Sequence, residues 1–447
     1  MIRTLAACLL FLAIVSPGAA LAQDAAAQGQ QLAFPGALGW AAYTAGGRGG
    51  QIIRVTNLNS DGPGSLRAAL ETPGARIVVF EVGGVIDLQR RTLVVREPFL
   101  TIAGQTAPSP GITLIRGGMD VATHDVIMQH IRIRPGSAEQ ALHSGWDEDA
   151  FSTQGAYNII VDHCTLTWAT DENLSASGPR FTGETPDEWR AGASHRITYS
   201  NNIIAEGLAN STHSKFEHSK GSLIHDNTSE ILIYGNLYAH NLERSPFFKG
   251  GVRGAIVNNF IYNPGQRAVH YNLMAEEWGD HPFQTGQMSV VGNVLRGGPS
   301  TPEHMAFMMI GGHGDVEYFG RDNIAVDRIG EPIPMFGRYA TGRARIIQVR
   351  RAPVWPEGLA PMPAADVERH VLRNSGARPW DRDRNDTRVI SDSAEGRGHI
   401  IDSETEVGGY PVQQMTRRPF NAADWNLADM TPTREGVLDS GARARGT

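Results

Sequence analysis

Six eight-residue segments of this chain can be written under one another without a gap: VIMQHIRI (126–133), IIVDHCTL (159–166), ITYSNNII (197–204), ILIYGNLY (231–238), AIVNNFIY (255–262) and MSVVGNVL (288–295). Each starts apolar, bends through polar residues or glycine at its fourth and fifth positions, and turns apolar again. Their starts lie 24 to 38 residues apart, the spacing of supersecondary repeats. FLTIAGQT (99–106) fits more loosely as an earlier copy. The segments are short and rich in β-branched residues, with Asn or Gly at the bend, so they predict strands. Long helical periodicity is missing, which argues against a solenoid of paired helices. A propeller blade would need about four strands per forty residues, more than these units carry. The pattern predicts an all-β chain wound as a parallel β-helix, coil stacked on coil at strand spacing. Asn202, Asn236 and Asn293 share one bend position and are expected to stack as a structural ladder.

A chain of 447 residues could make two or three globular domains, but a repeat fold can wind that length into one body. We expect a single β-helix domain over residues 23–447, with coils from about 34 to 300 and the segment 301–447 packed along them as long loops. GPGSLRAALE (62–71) reads as a turn and a short helix that caps the open end. PAADVERHVLRNSG (363–376) reads as a helix started by Pro363 and stopped by Gly376. GARARGT (441–447) is expected to be mobile. Residues 1–22 have the pattern of a secretory signal: Arg3, the short apolar run LAACLLFLAIV (5–15) and the small-residue site ALA (20–22). The run is short for a membrane span, so export without membrane insertion is expected. Cys8 would leave with that segment, and Cys164 alone makes no internal disulfide. The formal net charge of -7 supplies no global cationic field, so no nucleic-acid partner is expected. Any anionic ligand must meet a local basic cluster or a bound metal, and a monomer is expected.

SGWDEDAF (144–151) places Asp147 and Asp149 two apart in a strand-like stretch, which would put both side chains on one face. Carboxylates that close repel unless a cation sits between them. WATDENLS (168–175), a coil later, offers Asp171 and Glu172. Coils stack roughly 5 Å apart, so such groups can share an ion, and an all-oxygen set suits calcium. A solvated acidic edge is the alternative. FEHSKGSLI (216–224) carries Lys220, and NLERSPFFKGG (241–251) carries Arg244 and Lys249 around a proline and two phenylalanines. Three cations beside an acidic metal cluster make sense for a ligand that bears carboxylates. His163 with Asp162 could be a general base and its partner, or two bend residues bonded to neighbouring backbone.

At these residues the sequence resembles the pectate lyases of the right-handed parallel β-helix type. VDHCTL (161–166) resembles that family's strand motif ending in Asp-His, and EHSKG (217–221) its His-x-Lys stretch. RSPFFK (244–249) resembles the Arg-x-Pro-x-x-Arg motif, with Lys249 in place of the second arginine, and DED (147–149) the paired aspartates. FPGALGWAAYTAGGRGG (34–50) and TIAGQTAPSPGI (101–112) are similar to the opening coils of secreted bacterial members, with a weaker echo in IIDSETEVGGYP (400–411). The resemblance implies calcium-assisted β-elimination of 1,4-linked polygalacturonate, the backbone of pectin. It implies Arg244 as the base, Lys220 and Lys249 as binders of substrate carboxylates, and Asp147, Asp149 and Asp171 as calcium ligands. Two alternatives remain at this point. A β-helix glycoside hydrolase would use Asp147, Asp149 or Asp171 as acid and base. A non-catalytic carbohydrate-binding protein would hold a structural calcium.

Overall fold

The computed structural model describes residues 31–438, so the predicted signal segment with Cys8, and the tail 441–447, lie outside the described residues. Three sheets run the length of the molecule. The first has eleven strands, from Gln51–Val55 to Ile346–Gln348, and the second has nine, from Leu93–Val95 to Phe336–Arg338. The third has ten, of which Thr416–Arg417 pairs antiparallel at the edge while the others are parallel. One coil consists of Tyr157–Asp162 in the first sheet, Thr165–Thr167 in the third and Glu172–Ala176 in the second. The next coil repeats this with His195–Ser200, Ile203–Ala205 and Lys220–Ile224. This is a parallel β-helix, right-handed as parallel crossovers are. Among the described residues no helix is long and apolar enough to cross a membrane.

The bend after each first-sheet strand explains the repeat. His130, His163, Asn201, Gly235, Asn258, Gly292 and Asp322 all occupy it with φ between 50° and 67°. That left-handed conformation favours Gly, Asn and Asp, which is why those residues recur there. The following residue turns its side chain inward. Asn202, Asn236, Asn259, Asn293 and Asn323 form a ladder in which each Nδ2 donates to the next Oδ1 at 2.9–3.0 Å. The ladder ends at Cys164, whose N–H donates to Asn202 Oδ1 at 2.8 Å. It corrects one alignment. Ile233 pairs with Ile256, so the fifth segment starts at Gly254, and Asn259 takes the rung. Strand residues alternate as the pleat requires: Ile159 and Val161 enter the central core, while Ile160 packs outward beside Phe34.

The stack extends past residue 300, through Met308–Gly312, Val316–Arg321 and Ile324–Val326 to Ile346–Gln348. Glu317 and Arg321 on the outer face of Val316–Arg321 hide the apolar pattern there. The chain then returns along the third sheet. The helix Ala364–Asn374 follows Pro363 and ends at Ser375, with Gly376 at φ 89°. Its Val367 and Val371 pack on Ile203, Leu237 and Phe260. A second helix, Arg384–Glu395, escaped the sequence reading. Asp383 caps it by accepting from Asp386 N. Asp383 and Asp386 also hold the buried Arg132 and Arg134 of the strand Ile131–Arg134, with Arg134 to Asp386 at 2.7 Å and Arg132 to Asp386 at 2.9 Å. At the other end, Ser65 caps the short helix Leu66–Leu70, which packs into the core beside Val55.

Candidate active site

The functional residues gather at the corner where each coil passes from the third sheet to the second. Parallel register aligns them, since Glu172 pairs with Lys220 and Lys220 bridges to Glu243. Asp149, Asp171 with Glu172, Lys220, and Arg244 therefore come from successive coils, about 5 Å apart per step.

Oxygens of Asp149, Asp171 and Glu172 all lie within 4.8 Å of one another. Asp149 Oδ1 accepts from Glu172 N at 2.8 Å, which ties the loop before one second-sheet strand to the start of the next. Burial, and then the charge of Asp171, push the Asp149 carboxyl well above the usual carboxylate range. Asp171 goes the other way. Burial would raise it, but His213 and His218 hold it well below that range. His218 Nε2 lies 2.7 Å and His213 Nε2 3.5 Å from Asp171 Oδ1, and the two rings stack with centroids 3.7 Å apart. Lys215 N donates to His213 Nδ1 at 2.9 Å, so the neutral ring carries its proton on Nε2, facing the carboxylate. That proton fits His213 to orient Asp171 and makes its Nε2 a poor metal ligand. Asp149, Asp171 and Glu172 offer oxygen donors, and His218 Nε2 stands beside Asp171 in a second group whose ligand atoms also lie within 4.8 Å of one another.

Arg244 is paired with Glu172, and its guanidinium carbon lies 5.5 Å from the Phe247 ring centroid. Its backbone sits at φ 66°, in the left-handed region, between the end of one coil corner and the strand Phe247–Lys249. Burial lowers the Arg244 pKa from the ordinary arginine value, while Asp171 and Asp149 oppose the shift. Lys220, at the head of Lys220–Ile224, is paired with Glu243, which also binds Arg267 from the following coil. Burial, then the Arg267 charge, pull the Lys220 ammonium down to about 8.

Two predicted site residues lie outside this carboxylate cluster, Asp147 across the His213 ring from Asp171, with its Oδ1 3.8 Å from His213 Nδ1, and Lys249 further off. Asp147 is exposed in a loop and accepts from Ser214 N at 3.1 Å and Ser214 Oγ at 2.9 Å. Residues 144–149 are not a strand, so the alternation that would have put Asp147 and Asp149 on one face does not operate. Glu148 between them turns to Thr92 Oγ1 and Gly118 N at 2.5 and 2.8 Å. Lys249 closes its strand at the end away from Arg244, in a separate cluster. Its Nζ lies 3.3 Å from Asp226 Oδ2 and pairs with Glu277, and Arg180 binds both carboxylates at 3.0 and 2.8 Å. Glu243, Arg267 and His213 escaped the sequence reading, because only the register of the coils brings them to this corner. Asp162 and His163 lie at a different corner, paired at 2.7 Å, with His163 in the left-handed bend.

A protein of Neosartorya fischeri named a probable pectate lyase C is 32% identical over 388 residues, covering 85% of this chain and 81% of that protein. The chain belongs to the pectate lyase family. A second relative with the same name, from Aspergillus flavus, is 35% identical over 271 residues, and the match spans 60% of this chain but only 55% of the relative. The match therefore spans about half the length of several of these curated relatives. A pectate lyase of Ambrosia artemisiifolia is 30% identical over 155 residues. These pectate lyases are fungal and plant proteins, so membership of the family stands without the bacterial source that the opening coils suggested. No family profile matches the chain. Among solved structures, the cedar pollen allergen Jun a 1 aligns with a TM-score of 0.48 at 16% identity, over 76% of this chain and 92% of that one. Pectate lyase II of Xanthomonas campestris aligns with a TM-score of 0.46 at 14% identity, over 78% of this chain and all of that one.

Proposed function

We propose that this chain is an exported, monomeric pectate lyase that cleaves 1,4-linked polygalacturonate by calcium-assisted β-elimination, releasing unsaturated oligogalacturonides. One observation carries the reading: three carboxylates within 4.8 Å of one another, with Arg244 paired to one and Lys220 one coil away. The donor set fits a hard divalent cation, because the three carboxylates offer oxygen donors within 4.8 Å of one another, with Glu172 Oε1 shared with Arg244. Asp149, Asp171 and Glu172 would hold the ion, while Asp147 secures the loop through Ser214. Calcium bound there would neutralise the uronate carboxylate and the enolate-like charge that develops beside it.

Lys220 would meet the same carboxylate as a cation, leaving Glu243 to Arg267. Arg244 would take the proton from C5 as the C4–O bond breaks and the C4–C5 double bond forms. The departing oxygen would be protonated by solvent. A guanidinium resists this role, since its free pKa exceeds about 12. Its burial works in favour of the neutral form, and its pairing with Glu172 works against it. A ligand that engages Glu172 therefore favours the base. Lys249, beside Asp226 and Glu277, would serve a neighbouring sugar of the polymer. The hydrolase reading is weaker, because its acid and base would both have to be carboxyl groups free to face the sugar. Here Asp171 is instead locked by two imidazoles.

The test is incubation of polygalacturonate with the protein, with calcium and after chelation. The expected result is calcium-dependent ultraviolet absorbance from the new double bond. New reducing ends without that absorbance would favour hydrolysis and sink the lyase reading.

A further inference from the structure

The Asp162–His163 motif takes no part in the chemistry above, yet it sits in a built cavity. At the corner between the first and third sheets, polar side chains from successive coils form a floor. Gln105 Nε2 donates to Gln129 Oε1 at 3.2 Å, and Gln129 Nε2 donates to Asp162 Oδ2 at 3.1 Å. Ser200 Oγ and Asn201 Nδ2 donate to Asp162 Oδ1 at 2.8 and 2.9 Å. With His163 Nδ1 on Oδ2 at 2.7 Å, the Asp162 carboxylate is fully engaged. His163 Nε2 has no partner among the described residues.

Three remote segments roof this floor: residues 34–36, Trp380, and 429–432 with Leu438. They enclose about 300 Å³, at the small end of ligand-site sizes. Two buried polar atoms in the walls lack partners, the Gln105 Oε1 acceptor and the Trp380 Nε1 donor. Gln105 itself is only 5% exposed. Both atoms lie just under the cavity surface, so a hydroxyl-rich ligand, whose hydroxyls both donate and accept, would meet them once the wall shifts slightly to admit it. Phe34, Pro35 and Met430 add apolar surface for the C–H face of a sugar ring. No lysine or arginine lines the cavity, whereas Asp162 and Asp429 do, so a carboxylated sugar would find no permanent cation to pair with.

We propose that this cavity is a binding site for a neutral pyranose or furanose unit, separate from the acidic corner. The sugar site stands by itself; joined to the proposed function, on which this role rests, it would let the protein grip neutral branches on a polymer whose backbone is acidic.

The experiment uses the full chain with D-galactose, L-arabinose and D-galacturonate as probes. Binding is followed by saturation-transfer NMR and by the imidazole signals of His163, identified by their loss in His163→Gln. A neutral sugar should shift those signals, and galacturonate should not. Gln105→Leu and Trp380→Phe, which remove one acceptor and one N–H, should each weaken the sugar at least about fivefold. Cleavage of unbranched polygalacturonate should stay unchanged in both variants. Absence of any neutral-sugar effect on His163 would overturn the proposal. So would equal binding of galacturonate, or binding indifferent to both substitutions.

Discussion

Glu172 answers two demands at once, as one of three crowded carboxylates and as the counter-ion of Arg244. A cation entering the cluster must therefore compete with Arg244. Arg244→Ala should bind calcium more tightly than wild type by calorimetry while losing turnover. Arg244→Lys should keep much of the affinity for polygalacturonate and lose nearly all kcat, because an ammonium cannot place a base at the same point. Near-normal kcat in Arg244→Lys would remove that residue from the base role. His218 acts through Asp171, at 2.7 Å, so His218→Ala should cost roughly 10–100-fold in calcium affinity, the usual scale for groups that orient metal ligands. Unchanged calcium binding in a folded His218→Ala would show that the imidazole does not position Asp171. Sequence motifs indicate which coils carry Lys220 and Arg244. They cannot show Glu243 between Lys220 and Arg267, because that bridge depends on a 23-residue register step visible only in the wound chain. The shared strand face expected of Asp147 and Asp149 did not form, because residues 144–149 are a loop.

The repeat itself was the most legible element, since its bend requires φ near 50–67° and its residues advertise that need. Register was less legible. The turn NN in AIVNNFIY admits two alignments, and the pairing of Ile233 with Ile256 and the Asn236–Asn259 bond at 2.9 Å select one. The helix Arg384–Glu395 was hidden for a different reason. Its buried face includes Asn385, Asp386 and Ser393, so it shows few apolar residues to count. It is anchored by charge instead, through Asp386 to Arg132 and Arg134. Asp386→Ala would leave two buried guanidiniums short of a partner and should destabilise the protein by about 3–5 kcal/mol. Thermal unfolding measures this, and a loss of less than about 1 kcal/mol would mean the pair contributes little beyond its own desolvation.

At the scale of the whole molecule, stability should fall on acidification through buried histidines. Burial, with the nearby cation Lys249 for His225, brings both His225 and His240 down to about 4. Unfolded, each would titrate near 6.5, so their contribution is intact above pH 6.5 and is lost progressively as pH falls towards 4. Each accounts for up to roughly 3 kcal/mol, read as a decline in denaturant midpoint between pH 7 and 4. A flat profile over that range would mean that both rings are protonated in the native state. The architecture also has a mechanical corollary. Ile159 pairs with Ile197 and Ile231 with Gly254, so one coil takes 38 residues and another 23, yet the corners stay aligned. The bonds that align them point along the long axis. Tension applied end to end should peel the molecule one turn at a time at low force, whereas a pull across the axis would load many bonds together and meet far greater resistance.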